Sequence, residues 1–189
     1  MHIITGKYKG HPLKTASGPG YRPATARVRE SLFSSLESLG VDWESTRVID
    51  VFAGSGSLAL ECLSRGAELA WFIEKNARAA GVIKKNLTTF GVDRSKYRVI
   101  CRDLFKFLDT PCDLRFSLAF IDPPYGRDLL VPAVDKLLDK GLIQPGGLIC
   151  AEVEARVDCS GCFLANLVTI KEKNYGQTRI YIWELSANG

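Results

Sequence analysis

A chain of 189 residues suits one domain with room for a small appendage. With 46% hydrophobic and 24% charged residues, it has enough apolar material for an ordinary core, which excludes a disordered, collagenous or coiled-coil protein. Its longest apolar runs, at 69–73 and 118–121, fall far short of the ~20 residues a bilayer-spanning helix needs. No apolar h-region follows the N-terminus, so the expectation is a cytosolic protein that does not bind membranes.

The net charge of +4 is unevenly placed. Residues 1–29 contain Lys7, Lys9, Lys14, Arg22, Arg27 and Arg29 and no acid, leaving 19 basic and 21 acidic residues for the remainder. A basic segment on a near-neutral body suits a polyanion docking at one end, and a merely solvated N-terminus is the alternative. Six cysteines (Cys62, Cys101, Cys112, Cys150, Cys159 and Cys162) are expected to stay reduced in the cytosol. Cys159-Ser-Gly-Cys162 has CxxC spacing, but no second pair accompanies it and the only histidines are His2 and His11. A tetrahedral zinc site needs four ligands, so no metal is expected.

In chain order, residues 1–22 read as a basic hairpin or irregular arm broken at Gly6 and Gly10 and ending near Gly18-Pro19-Gly20. Pro23 and Thr25 open a helix, with Thr25 as N-cap. Its apolar face is Val28, Leu32, Leu36 and Leu39, and Gly40 stops it. Strands then alternate with helices. A strand at 47–52 leads through Gly54-Ser55-Gly56 into a helix at 57–64. A strand at 69–73 ends at Glu74. Asn76 caps a helix with the face Ala79, Ile83, Leu87 and Phe90. A strand at 97–101 precedes Asp103 and a short helix at 104–108. A strand at 116–121 runs into Asp122-Pro123-Pro124-Tyr125. A helix at 128–138 and a strand at 147–153 follow. Two β-rich runs, 167–171 and 179–185, read as a closing hairpin joined by residues 173–177. The pattern predicts an α/β fold: a mostly parallel sheet with helices on both faces and an antiparallel C-terminal edge. Ligands of such sheets sit beyond the carboxyl ends of the strands.

Each strand end carries a chemically useful group. After the first strand, Gly54 and Gly56 let the backbone pass close to a ligand at a helix N-terminus. A GxG alone is weak, and a pyrophosphate binder stays open at that point. Glu74, twenty residues beyond Gly54, is placed to accept two ribose hydroxyls, a feature common to nicotinamide and S-adenosylmethionine sites. Asp103 either meets an adenine edge or caps the helix that follows, and the two roles are compatible. Asp122-Pro123-Pro124-Tyr125 decides between cofactors. Two prolines remove two backbone donors and keep the chain extended, leaving carbonyls beside a carboxylate and an aromatic ring. Such a cluster accepts both N–H bonds of an exocyclic amine, freeing its lone pair for in-line attack on a sulfonium methyl. A fixed carboxylate there meets the positive charge that builds on nitrogen, and Tyr125 can stack on the base. Hydride transfer has no use for this tetrapeptide.

Residues 1–10 (MHIITGKYKG), 22–30 (RPATARVRE), Asp50 through Gly56, Asp122-Pro123-Pro124-Tyr125 and the closing Tyr175-Gly176-Gln177-Thr178 occur in this order. Together they resemble the RsmD family, bacterial S-adenosylmethionine-dependent methyltransferases of guanine N2 in small-subunit (16S) ribosomal RNA. The resemblance implies a Rossmann-like class I sheet of seven strands, with a basic β-hairpin arm at 1–22 and the methyltransferase domain at 23–189. It implies methylation of guanine 966, in the usual rRNA numbering, during small-subunit assembly. A monomer is expected separately. Carried over by position, Asp50, Phe52, Gly54 and Gly56 line the methionine and ribose part of the cofactor. Glu74 holds the ribose hydroxyls, Asp103 with Leu104 meets the adenine, and Asp122 through Tyr125 meet the guanine. Arg22, Thr25 and Arg29 belong to the RNA-facing arm. The charge count adds Lys7, Lys9 and Lys14, expected to grip phosphates beside the target. Ala24-Thr25-Ala26 stands where the family more often has Thr-Thr-Asp, which puts in doubt any role for the missing acid. The alternatives are an adenine-N6 nucleic-acid methyltransferase and a non-enzymatic RNA-binding assembly factor. The latter would be expected to have lost one of these strand-end groups.

Overall fold

The computed structural model describes residues 1–15, 26–157, 159 and 166–186. Arg22, Thr25, Cys162 and the Gly18-Pro19-Gly20 turn lie outside these residues. Helix α1 (Ala26–Ser38) turns Val28, Leu32, Phe33 and Leu36 inward, the three- and four-residue spacing that puts side chains on one face. The elements that follow are β1 (Arg47–Asp50), α2 (Ser57–Arg65), β2 (Leu69–Ile73), α3 (Ala77–Thr89), β3 (Tyr97–Ile100), α4 (Leu104–Leu108), β4 (Phe116–Ile121), α5 (Leu130–Asp139), β5 (Ile143–Glu154), β6 (Leu167–Tyr175) and β7 (Thr178–Leu185).

These strands form one seven-stranded sheet in the order β3-β2-β1-β4-β5-β7-β6. The first five are parallel, while β7 runs antiparallel between β5 and β6. Alternate residues feed two cores. Val48, Phe72 and Phe120 pack with Phe33, Leu60 and Ile83 beneath α1, α2 and α3. Ile49, Ile73 and Ile121 pack with Leu104, Val134 and Leu137 beneath α4 and α5. Helices cover both faces of the parallel strands, as strands apolar on both sides require, whereas β6 at the antiparallel edge is largely exposed. Among the described residues no helix is long and apolar enough to cross a membrane.

Several boundaries depart from expectation: β1 ends at Asp50 and not at 52, and β5 begins at Ile143 and not at 147. Helix α5 begins at Leu130 and not at residue 128, because Gly126 and Asp128 adopt positive φ of 69° and 47°, which no helix accommodates. Pro132 then sits in the first turn, where its missing N–H costs no intrahelical bond. The closing hairpin is longer than its β-rich cores suggest: β6 reaches Tyr175, paired with Thr178, leaving only Gly176 and Gln177 as the turn. The expected N-terminal β-hairpin is reduced to a single bridge, His2 with Pro12, within a looped segment closed by Gly10 N–H to Ile3 O (2.9 Å) and Leu13 N–H to Met1 O (2.9 Å). Ile3, Tyr8 and Leu13 of this segment are buried in the α1–α3 core, so residues 1–15 pack as part of the body.

Candidate active site

The carboxyl ends of β2, β1, β4 and β5 lie side by side, and an acid stands at each. Asp50 ends β1 at 2% exposure. Burial raises its carboxyl pKa to about 7, the nearby Glu74 adds to the rise, and the Ala59 N–H of α2 opposes it by donating to the carboxylate. Beyond Asp50 the chain is held laterally, by Val51 N–H to Phe120 O (3.1 Å) and Ala53 N–H to Ile73 O (3.0 Å). It then turns through Gly54 and Gly56. Gly56 has φ +76°, and a Cβ there would lie 3.1 Å from both Phe72 and Ile83, so conformation and packing both select glycine.

Glu74 fixes the glycine turn from the next strand. One carboxylate oxygen accepts the Gly54 N–H at 2.9 Å and the other accepts the Asn76 N–H at 2.7 Å. Asn76 in turn caps α3. Beyond β3, Asp103 caps α4 through the amides of Phe105 (3.0 Å) and Lys106 (3.3 Å). Leu104 is 3% exposed and joins the core beside α4, against which Phe52 packs.

Asp122 follows β4 directly. Its carboxyl sits far above the ordinary carboxylate range, through burial first and then the neighbouring charges of Glu152 and Asp50. The Asp-Pro-Pro-Tyr segment and the acid at the base of the glycine turn therefore share one electrostatic environment. Pro123 is buried, whereas Tyr125 is 38% exposed. The Tyr125 hydroxyl lies 3.2 Å from Thr178 Oγ1, which ties the segment to the β6–β7 turn.

The basic N-terminal residues divide. Lys7, Lys9 and Lys14 are exposed. Arg29 is not: expected on the RNA-facing segment, it is 1% exposed and paired with Glu61 at 3.4 Å. Glu61 is fully buried in α2 and also accepts the amides of Ile4 (2.7 Å) and Thr5 (2.9 Å) and a bond from Arg65. A buried carboxylate needs buried cations, and Arg29, one turn into α1, supplies one. Burial lowers the Arg29 pKa and Glu61 opposes that shift. Sequence reasoning missed Glu61, whose place within the apolar run Leu58-Ala-Leu-Glu-Cys-Leu63 was the available signal. It also missed Glu152, which lies within β5 beside the end of β4, and Thr178, whose contact with Tyr125 spans 53 residues.

A seven-stranded sheet of this order, with a glycine turn after β1, an acid after β2 and Asp-Pro-Pro-Tyr after β4, defines a class I, Rossmann-like methyltransferase. The family profile described as "Conserved hypothetical protein 95" matches residues 1–184. Ribosomal RNA small subunit methyltransferase D of Escherichia coli strain K12 is 35% identical across 100% of this chain and 92% of its own. The same-named protein of Haemophilus influenzae is 33% identical over 93% and 89%. A solved structure of Escherichia coli yhhF superposes with a TM-score of 0.84 at 34% identity, covering 100% of this chain and 99% of that one. The chain belongs to this family, the RsmD family of methyltransferases.

Proposed function

We propose that this protein transfers the methyl group of S-adenosylmethionine to the exocyclic N2 amine of a guanine in 16S ribosomal RNA, at position 966 during small-subunit assembly. The observation that carries the reading is Asp122-Pro123-Pro124-Tyr125 at the end of β4, electrostatically linked to Asp50 at the base of the glycine turn. The donor set fits the cofactor. Asp50 and Glu74 offer acceptors for an ammonium group and ribose hydroxyls, and Gly54 and Gly56 keep side chains out of the turn. Bound there, S-adenosylmethionine supplies an electrophilic sulfonium methyl. Phe52 lines the turn, and Asp103 with Leu104 borders the base of the cofactor.

Asp122 and the Pro123 carbonyl accept the two N–H bonds of the guanine amine. This draws the nitrogen lone pair out of conjugation and aims it at the methyl carbon. Attack by that nitrogen would form the N–C bond as the C–S pair leaves on sulfur. The positive charge developing on nitrogen would be relieved as one of its protons passes to the Asp122 carboxylate, whose raised proton affinity suits it to take it. Stabilising that charge in place is worth more than doing so in water, because the carboxylate needs no reorganisation. Pro123 and Pro124 hold the segment extended, and Tyr125 stacks on the base. Lys7, Lys9 and Lys14, with Arg22 and Thr25, engage RNA phosphates, which position the substrate without reading its sequence.

The test is turnover on small-subunit particles lacking the modification, with nucleoside analysis of the product. Asp122→Ala is expected to lower the rate by roughly 10²–10³-fold, about 3–4 kcal/mol of transition-state stabilisation, with cofactor affinity unchanged by calorimetry. Near-normal turnover removes Asp122 from this role, and N6-methyladenosine as the product overturns the guanine assignment.

A further inference from the structure

We propose that the exposed face of α3 is a track for the RNA backbone, in which Lys14 and Lys85 share one phosphate, Arg78 takes another, and the strand between them passes over Gly81. The inference rests on the rRNA-substrate reading above and extends it from the N-terminal segment onto the catalytic body. It begins with Asn86, an α3 side chain that is 1% exposed. Its Oδ1 accepts the Lys14 N–H at 3.1 Å, and its Nδ2 donates to the Lys14 carbonyl at 2.9 Å. The Lys14 backbone is thereby fixed beside the helix, and its side chain meets that of Lys85. The two amines lie close enough that Lys85 lowers the proton affinity of Lys14, first through side-chain hydrogen bonding and then through like charge.

Among the described residues, Lys14, Arg78 and Lys85 form no ion pair, whereas Arg47, Lys136 and Arg156 elsewhere on the surface each meet an acid. Helix α3 contains no Asp or Glu, so the helix itself offers these cations no partner one turn away. All three are exposed. Arg78 and Lys85 stand two turns apart on one face, about 10 Å along the axis. Two like charges held together repel, and an anion placed between them turns that repulsion into a double attraction. A nucleic-acid backbone supplies such anions at regular intervals.

Gly81 lies between the two cations on the same face, and a Cβ built there would meet nothing within 4 Å among the described residues. Glycine inside a helix is destabilising relative to alanine, and here no neighbouring protein atom calls for its small size. Close passage of a ligand backbone gives the bare Cα a use. The ridge also leads to the site. Helix α3 starts at Asn76, whose N–H is held by the same Glu74 carboxylate that holds Gly54. A strand lying along α3 therefore reaches the glycine turn with its phosphates already neutralised.

The experiment measures binding of a labelled small-subunit rRNA fragment to the full chain by fluorescence anisotropy across a salt series. Lys85→Ala and Arg78→Ala are each expected to weaken binding about 5–10-fold, with Lys85→Arg close to the wild-type protein. Replacing Lys14 and Lys85 together by Ala should lower the slope of log K against log salt by about 0.7–0.9, the value for one phosphate, where two separate phosphates would give about twice that. Gly81→Gln should weaken binding by a similar factor with its slope unchanged. Its thermal midpoint should rise, because Gln is the better helix former, so lost binding in that variant cannot come from a damaged fold. Wild-type affinity in Lys85→Ala or in Gly81→Gln, or a two-phosphate slope change in the Lys14 and Lys85 double variant, would overturn the proposal. Failure of the wild-type protein to bind the fragment would instead overturn the RNA reading beneath it.

Discussion

Asp50 is a carboxylic acid held where water is nearly excluded, and its proton equilibrium follows. Its folded-state pKa is raised from 3.8 to about 7, so the native state binds more protons than the unfolded chain between those values. Stability from this group is therefore fully present below about pH 4 and is lost as pH rises through 7. At about 1.4 kcal/mol per tenfold change in proton affinity, the loss is on the order of 4 kcal/mol at high pH. Asp50→Asn keeps an oxygen to accept the Ala59 N–H and removes the titration. Chemical denaturation at pH 5 and pH 8 should show the wild-type protein losing stability between them and the variant losing less, since only Asp122 still contributes a raised carboxyl. Equal slopes would mean that Asp50 is ionised throughout. An ammonium group bound beside Asp50 at pH 7 should draw the proton off, so cofactor titrations in buffers of different ionisation enthalpy should report proton release.

At the scale of elements, the question is what docks the N-terminal segment on α1 and α2. The Glu61 carboxylate takes the amides of Ile4 and Thr5, together with Arg29 and Arg65, and so joins residues on both sides of segment 16–25 to the helix that follows the glycine turn. Glu61→Ala leaves Arg29 buried without its counter-charge, which typically costs about 3–5 kcal/mol. Urea denaturation should show that loss, with proteolysis of residues 1–15 appearing before global unfolding. Gly6 marks the other contact: its φ is +87° and an added Cβ would stand 1.9 Å from the Ser64 carbonyl oxygen. Gly6→Ala should therefore release the same segment, and a protease-resistant variant would show that the docking survives without that approach. These contacts also mark where sequence reading runs out. The strand–helix alternation and the acids at 50, 74 and 122 were legible because apolar runs end visibly and chemistry collects at their ends. The fate of Arg29 was not, because a charge count cannot see a buried partner 32 residues away. Nor was Tyr125 with Thr178, since the antiparallel placement of β7 beside β5 is a tertiary outcome.

Over the whole molecule, charge is arranged in opposition: a row of carboxylates along the sheet's carboxyl edge, and exposed lysines on the segment packed against α2 and α3. A polyanion approaching that acidic edge is repelled unless cations hold its backbone nearby, which is the role proposed for Lys7, Lys9 and Lys14. Replacing all three with Ala removes no hydrogen bond that docks the segment. Lys7 and Lys14 reach Ser64 and Asn86 through backbone atoms, so the thermal midpoint should barely move. RNA affinity should fall, and the slope of log K against log salt should become shallower by roughly 2–3, one counterion released per neutralised phosphate. Fluorescence anisotropy with a labelled small-subunit rRNA fragment across a salt series measures both. A slope equal to that of the wild-type protein would place the RNA contact elsewhere, whatever happened to affinity at a single salt concentration. If instead the slope drops while the rate at saturating RNA is unchanged, the lysines act in binding and leave methyl transfer to the strand-end acids.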